Sequence, residues 1–380
     1  VNHRQRVNAI LHYQNYDVMP VVHFGYWQDT LEKWIREGHL SLSPEELTEV
    51  LTDGSEAEAA LSEKLGFDFN WYSVLSDKAG WISLYPKFPK RVVKDLGGGA
   101  CHLQNEEGLI VLQREGATGI PAEIGYTLMD RRSWEELYLP KLQFNTERIN
   151  SEGIARYEAL EPTRKTPLGL YFGSLFGQIR NWMGLEAVTY LQVDDEELFN
   201  EIVSAVADLC YKTAEEMLQS SIRFDFAHFW EDICFKNGPI VSPRAFNEKF
   251  GPLYKRLTKL CNGHGIDIVS LDCDGMIDEL IPTWITNGVN TMFPIEVGTW
   301  EASIAPWRAR YGKALRGVGG MDKRVFAQDF AAVDREVERL KPLVELGGYI
   351  PCPDHRIAPD AKWDNVRYYC DRMRSAFGAV

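Results

Sequence analysis

The chain has 380 residues, 45% hydrophobic and 12% aromatic, and carries a formal net charge of −14. That is enough apolar material for a large core, and the acidic balance argues against nucleic-acid or anionic-membrane binding, both of which need basic surface. Seven scattered cysteines with no CxxC spacing fit free thiols in a reducing compartment, and no apolar run reaches a membrane span, so the sequence reads as soluble and cytoplasmic.

In chain order, residues 2–14 place Val7, Ile10 and Leu11 among charges, the spacing of a short amphipathic helix. Residues 19–24 read as a first strand running into Gly25-Tyr26-Trp27. A helix over 29–38 follows, then one opened by Ser43-Pro44, with serine as N-cap and proline at the first helical position. Residues 67–72 read as a second strand. Between 91 and 115 short apolar runs are cut by Gly97-Gly98-Gly99 and by Asn105 to Gly108, which predicts a β-hairpin or meander inserted at about 90–116 beside one side of the site. Helical patterns return over 133–142 and 146–159.

From there strands at 168–172, 224–229, 266–271, 289–293, 313–317 and 348–350 alternate with helices. With the two early strands they make eight. That count predicts an α/β chain built as one (β/α)8 TIM barrel over 1–380, with N-terminal helices and the small β insertion. The glycine fingerprints of dinucleotide and phosphate loops are missing from the sequence.

In such a barrel the residues following each strand gather at the C-terminal mouth. The most suggestive stretch is residues 266–275, a β-branched run that breaks into Asp272-Cys273-Asp274-Gly275. It reads equally as a strand-end turn, with glycine at a positive φ, or as a site. The rest of the ring is His23, Tyr26 and Trp27; Trp71; Tyr171 and Phe172; His228, Trp230, Glu231 and Asp232; Glu296; Arg316; Asp322 and Lys323; Cys352, Asp354 and His355. Taken singly, Trp71, Tyr171 and Phe172 read first as core, and His23 and His228 as structural histidines. As a set they describe an aromatic pocket with a few polar groups. The adjacent acids Glu231 and Asp232, the run Cys352-Pro-Asp-His355, and Asp272 with Asp274 together supply enough candidate metal ligands for zinc or a similar ion. The competing reading is a metal-free acid–base site with one carboxyl held protonated.

Several motifs together resemble the uroporphyrinogen decarboxylase superfamily, in its branch of cobamide-dependent methyltransferases. They are Arg4-Gln-Arg-Val-Asn-Ala-Ile10, Trp230-Glu-Asp-Ile233, Lys236 to Pro243, Asp272-Cys-Asp-Gly275, Gly319-Gly-Met-Asp-Lys323 and Gly347 to Arg356. The resemblance spans nearly the whole chain and implies a (β/α)8 barrel. Two departures separate its branches. The decarboxylases hold an acidic porphyrin with an arginine motif after the first strand, whereas residues 21–30 here contain no Arg or Lys. Thiol-methylating members bind zinc through His-x-Cys and a distal Cys; here Asp272-x-Asp274 replaces the pair and Cys352 matches the distal Cys.

Oxygen ligands leave an ion more electrophilic than thiolates do, which suits cleavage of a methyl ether. The resemblance therefore implies an O-demethylase type of methyltransferase. It would pass a methyl group from a small, methoxylated aromatic donor to the cob(I)amide of a separate corrinoid protein. Glu231, Asp272, Asp274, Glu296 and His355 are the expected catalytic groups. His23, Tyr26, Trp27, Trp71, Tyr171, Phe172, Trp230 and Arg316 are the expected pocket. A small-acid decarboxylase and a non-catalytic binder of corrinoid protein stay open as alternatives, as do monomer and homodimer.

Overall fold

A computed structural model describes residues 1–117 and 121–378. Eight parallel strands are present in the expected order: β1 (Val22–His23), β2 (Phe69–Asn70), β3 (Gly169–Tyr171), β4 (Phe226–Trp230), β5 (Val269–Asp272), β6 (Thr291–Phe293), β7 (Arg316–Met321) and β8 (Tyr349–Pro353). Six of them form one continuous sheet, β8-β7-β6-β5-β4-β3, and β1 pairs with β2 in a second. Single parallel bridges stand at both seams between the sheets, Leu75 with Gly169 and Tyr26 with Ile357.

Helices connect successive strands and cover one face of the six-stranded sheet. The burial of the strands explains their composition. β4, β5, β6 and β8 bury nearly every residue, so they read as continuous apolar runs and not as alternating ones. The alternation is still present in what each side chain touches. On β4, Phe226 stacks against Trp71 and His228 lies edge-on to Phe293, which puts both on the face away from the helices. Phe229, of the opposite parity, stacks on Phe172 and meets Tyr254 of the Gly251–Gly263 helix.

The insertion is larger than the sequence suggested. It is a four-stranded antiparallel sheet, Arg91–Gly97, Ala100–Gln104, Leu109–Arg114 and Ala122–Tyr126, the last strand lying beyond the expected boundary. Its Glu107 accepts from Trp182 Nε1 at 2.9 Å, docking the sheet on the Phe176–Met183 helix. Residues 133–142, expected as one helix, divide into short α, π and 3-10 turns, and Pro140 lies in the last of these. Among the described residues no helix is long and apolar enough to cross a membrane.

Candidate functional site

The C-terminal ends of β4 and β5 bring three carboxylates together. Oxygens of Asp232, Asp272 and Asp274 lie within 4.8 Å of one another, the one group of three or more potential metal ligands among the described residues. Alternation along the strands selects them. His228 and Trp230 share one parity on β4, with Asp232 two residues past its end, and Ser270 and Asp272 share one on β5, with Asp274 two residues past its end; His228 Nδ1 is 3.2 Å from Ser270 Oγ. Cys273 has the opposite parity and is buried, its sulfur 3.4 Å from the Ile233 amide.

The turns that present the aspartates are tightly specified. Asp232 has φ +48°, a left-handed conformation that aspartate tolerates better than most residues. Gly275 has φ +86°, and a Cβ there would sit 2.6 Å from the Cys234 carbonyl oxygen. The stretch is thus both the glycine turn and part of the carboxylate cluster.

Few donors reach this cluster. The Tyr72 hydroxyl, on the turn after β2, donates to Asp272, and the Asp274 amide donates to Asp232 at 3.0 Å. Burial, then the charges of Asp232 and Asp274, hold the Asp272 carboxyl well above the usual carboxylate range. Burial, then the charge of Asp274, pushes Asp232 up to about 6. Arg180 donates to the Asp232 carbonyl at 2.6 Å.

Four further groups border the cluster. His355 Nε2 is 3.5 Å from Asp274, and its ring is stacked on Trp27 with 5.5 Å between centroids. Its Nδ1 accepts from the Arg356 amide at 2.8 Å, so Nε2 carries the proton of the neutral ring. Glu296 accepts from the Gly275 amide at 2.5 Å and from Thr299 Oγ1 at 2.8 Å, and its pKa is raised by burial and then by Asp274. The Lys323 amine is lowered by burial, against the charges of Asp354, Glu296 and Asp274. Arg356 lies 5.4 Å over the Tyr72 ring and is held on Asp53 at 2.6 and 3.2 Å.

The structure separates several residues that the sequence placed in one pocket. Glu231 faces the helices, fully buried, and accepts from Ser174 Oγ, the Leu175 and Gly177 amides and the Tyr254 hydroxyl. Cys352 is buried and stands outside the carboxylate group; its charged neighbour is Asp354. His23 and Tyr26 point to Ser62 of the Glu56–Leu65 helix, and Phe172 packs under Phe229. Arg316 starts β7 instead of following it, because the strand runs on to Met321. It sits at the far end, donating to the Leu11 carbonyl at 2.5 Å.

Trp71 and Tyr171 do lie on the inner side, near Phe226, Phe293 and His228, and Trp27 belongs to the rim. Trp230 is half-buried and shares the inner parity of Asp232. Sequence reasoning missed Tyr72 and Phe24, whose ring lies 5.4 Å from His355, and chose Glu231 over Asp232 from an adjacent acidic pair. Counting parity from His228 would have found Asp232.

No protein-family model matches the chain, and no curated protein matches it. Among solved structures, a methyltransferase from Methanosarcina mazei is similar over 98% of both chains, with a TM-score of 0.61 and 14% identity. A B12-independent methionine synthase from Shewanella sp. W3-18-1 in complex with selenomethionine covers 94% of this chain and 98% of its own, at a TM-score of 0.47 and 11% identity. The first likeness, at that identity, establishes a shared fold: a mixed α/β chain built on parallel strands.

Proposed function

We propose that the chain is a single-domain (β/α)8 barrel and a methyltransferase, acting on a small methoxylated aromatic donor with the cob(I)amide of a separate corrinoid protein as acceptor. Two parallel bridges at the seams and the full-length likeness to a methyltransferase support the barrel. The observation that carries the chemistry is the group Asp232, Asp272 and Asp274 at the strand ends, with His355 beside it.

The chemistry of the cluster fits a divalent cation. Three carboxylates are crowded together, two are driven towards protonation by burial and mutual repulsion, and few donors relieve them. A cation held by Asp232, Asp272 and Asp274 would supply Lewis-acid polarisation of the donor's ether oxygen. The set is all oxygen, which suits a harder ion than the zinc expected with Cys352 as ligand. His355 presents Nε2–H towards the same space, fixed by the Arg356 amide and by stacking on Trp27, and would donate a hydrogen bond to the departing oxygen as charge develops on it. Trp27, Tyr171, Phe24 and Trp230 would hold the aromatic body. The decarboxylase alternative needs a free cation for a substrate carboxylate. Arg316 is at the far end and Arg356 is taken by Asp53, so that reading would have to rest on Lys323.

The test is elemental analysis of protein purified without chelator, beside Asp272→Ala, together with methyl transfer from methoxylated aromatics to added corrinoid protein. About one divalent ion per chain, lost in the variant, supports the site. Transfer that persists in a metal-free, chelated preparation overturns the metal. Absence of any transfer across a panel of methyl ethers overturns the methyltransferase reading.

A further inference from the structure

A cavity of about 640 Å³ opens on the flank of the molecule, where the two sheets meet at the Leu75–Gly169 bridge. It lies under the Ser151–Leu160 helix, and that helix is unusual here. Among the described α-helices longer than a single turn it alone has no buried residue; Ile154 and Tyr157 are only partly covered. A helix closing a strand–helix unit ordinarily presses an apolar stripe on the sheet. This one stands off and leaves a space within the range of small-molecule sites.

The lining has an apolar body and a charged end. Val74, Leu75, Tyr157 and Leu168 form the apolar part, and Leu160 is 45% exposed at its edge. Arg156, Arg164 and Lys165 come from the helix and the segment after it. Arg164 is committed to Glu161 and Asp225, but among the described residues the Arg156 and Lys165 side chains make no hydrogen bond or ion pair. Lys78 also lines the space, reaching the Asp53 carbonyl at 3.1 Å. The acids are Asp53, already held by Arg356 and Asn70, and Asp77 and Glu152 beside the start of the helix. Discounting the groups held by others leaves Lys78, Arg156 and Lys165 against Asp77 and Glu152, a local positive excess on a chain of net charge −14.

We propose that this cavity is a second binding site, for an amphipathic organic anion whose apolar body lies along Leu75 and Tyr157 and whose charge meets Arg156 and Lys165. The site also adjoins the carboxylate cluster. Tyr72, whose hydroxyl donates to Asp272, and Asp53, which anchors Arg356, are both part of its wall. An occupant therefore touches two residues that position the cluster, whatever reaction the cluster performs.

The probe is 1-anilinonaphthalene-8-sulfonate, titrated by fluorescence against the intact chain, with neutral N-phenyl-1-naphthylamine as its uncharged counterpart. The expected result is saturable binding near one equivalent, at least tenfold weaker for the neutral compound. The double variant Arg156→Glu/Lys165→Glu should lose at least tenfold in affinity for the anion with an unchanged melting temperature, since both side chains are exposed. Unsaturable binding, equal affinity for the two probes, or an unaltered titration in the double variant would each overturn the proposal. If the charge reversal lowers the melting temperature, Arg156→Gln/Lys165→Gln, which removes charge without adding repulsion, takes its place under the same criteria.

Discussion

Glu231 and Asp232 are neighbours in sequence and opposites in environment. Glu231 sits on the helix side of β4 with four donors on one carboxylate, two of them backbone amides at the start of the Phe176–Met183 helix. Asp232 sits on the other side, sharing a space with Asp272 and Asp274, where three carboxylates receive one tyrosine hydroxyl and one amide. Donor supply separates the roles. A carboxylate saturated by its own fold is an anchor, whereas carboxylates short of donors are completed by a proton or by something that binds.

The largest expected effect falls on the donor-poor side. Asp232→Asn and Asp272→Asn should each lower the proposed methyl transfer by at least about 100-fold, since each removes a charge from the proposed reacting centre. In cation-free buffer at pH 7.5 the same variants should melt no lower than the wild type, because they relieve repulsion between buried acids. Single-turnover assays and scanning calorimetry read the two quantities separately. A variant that loses stability and activity together would make the cluster structural, like Glu231.

Glu231→Ala reverses the pattern. Two backbone amides, a serine and a tyrosine would lose their common acceptor inside the fold, at a cost of about 3 kcal/mol. Urea titration should show a lower midpoint with an unchanged slope. If the variant were as stable as the wild type, the contrast between the two acids would collapse.

The same pair shows how far the sequence could be read. The order of eight strands was legible because each buried strand is a short apolar run between turn residues, and a parallel sheet covered by helices needs such runs. The insertion was legible as β, but its fourth strand, Ala122–Tyr126, is a weak sequence with Gly125 inside it, held by pairing to Leu109–Arg114. Asp272 and Asp274 were found because their i, i+2 spacing survives the turn. Glu231 was preferred to Asp232 because composition does not say which face a residue takes when both faces are buried. Arg316 was misplaced for a related reason: Gly317, Gly319 and Gly320 hid the continuation of β7 to Met321. Tyr72 and the Asp53–Arg356 pair lay outside reach, since their partners are 200 and 303 positions away.

The smallest expected effect is the dependence of stability on pH, and it tests the donor-poor side without an assay for activity. Asp232 titrates near 6 in the folded chain against an ordinary value of 3.8, so between those values the folded state binds more protons than the unfolded one. Stability linked to this group is therefore fully present below about 3.8 and is lost as pH rises through about 6, the reverse of an acid held by an arginine. The wild-type melting temperature in cation-free buffer should carry a component that falls from pH 4 to 6.5 and is missing in Asp232→Asn. Millimolar magnesium or manganese should restore that component at pH 7, because a cation that binds only the folded cluster stabilises it by mass action. A melting profile identical in wild type and variant, with and without the cation, would mean that the three aspartates do not share their charge, and the distinction from Glu231 would then rest on hydrogen bonds alone.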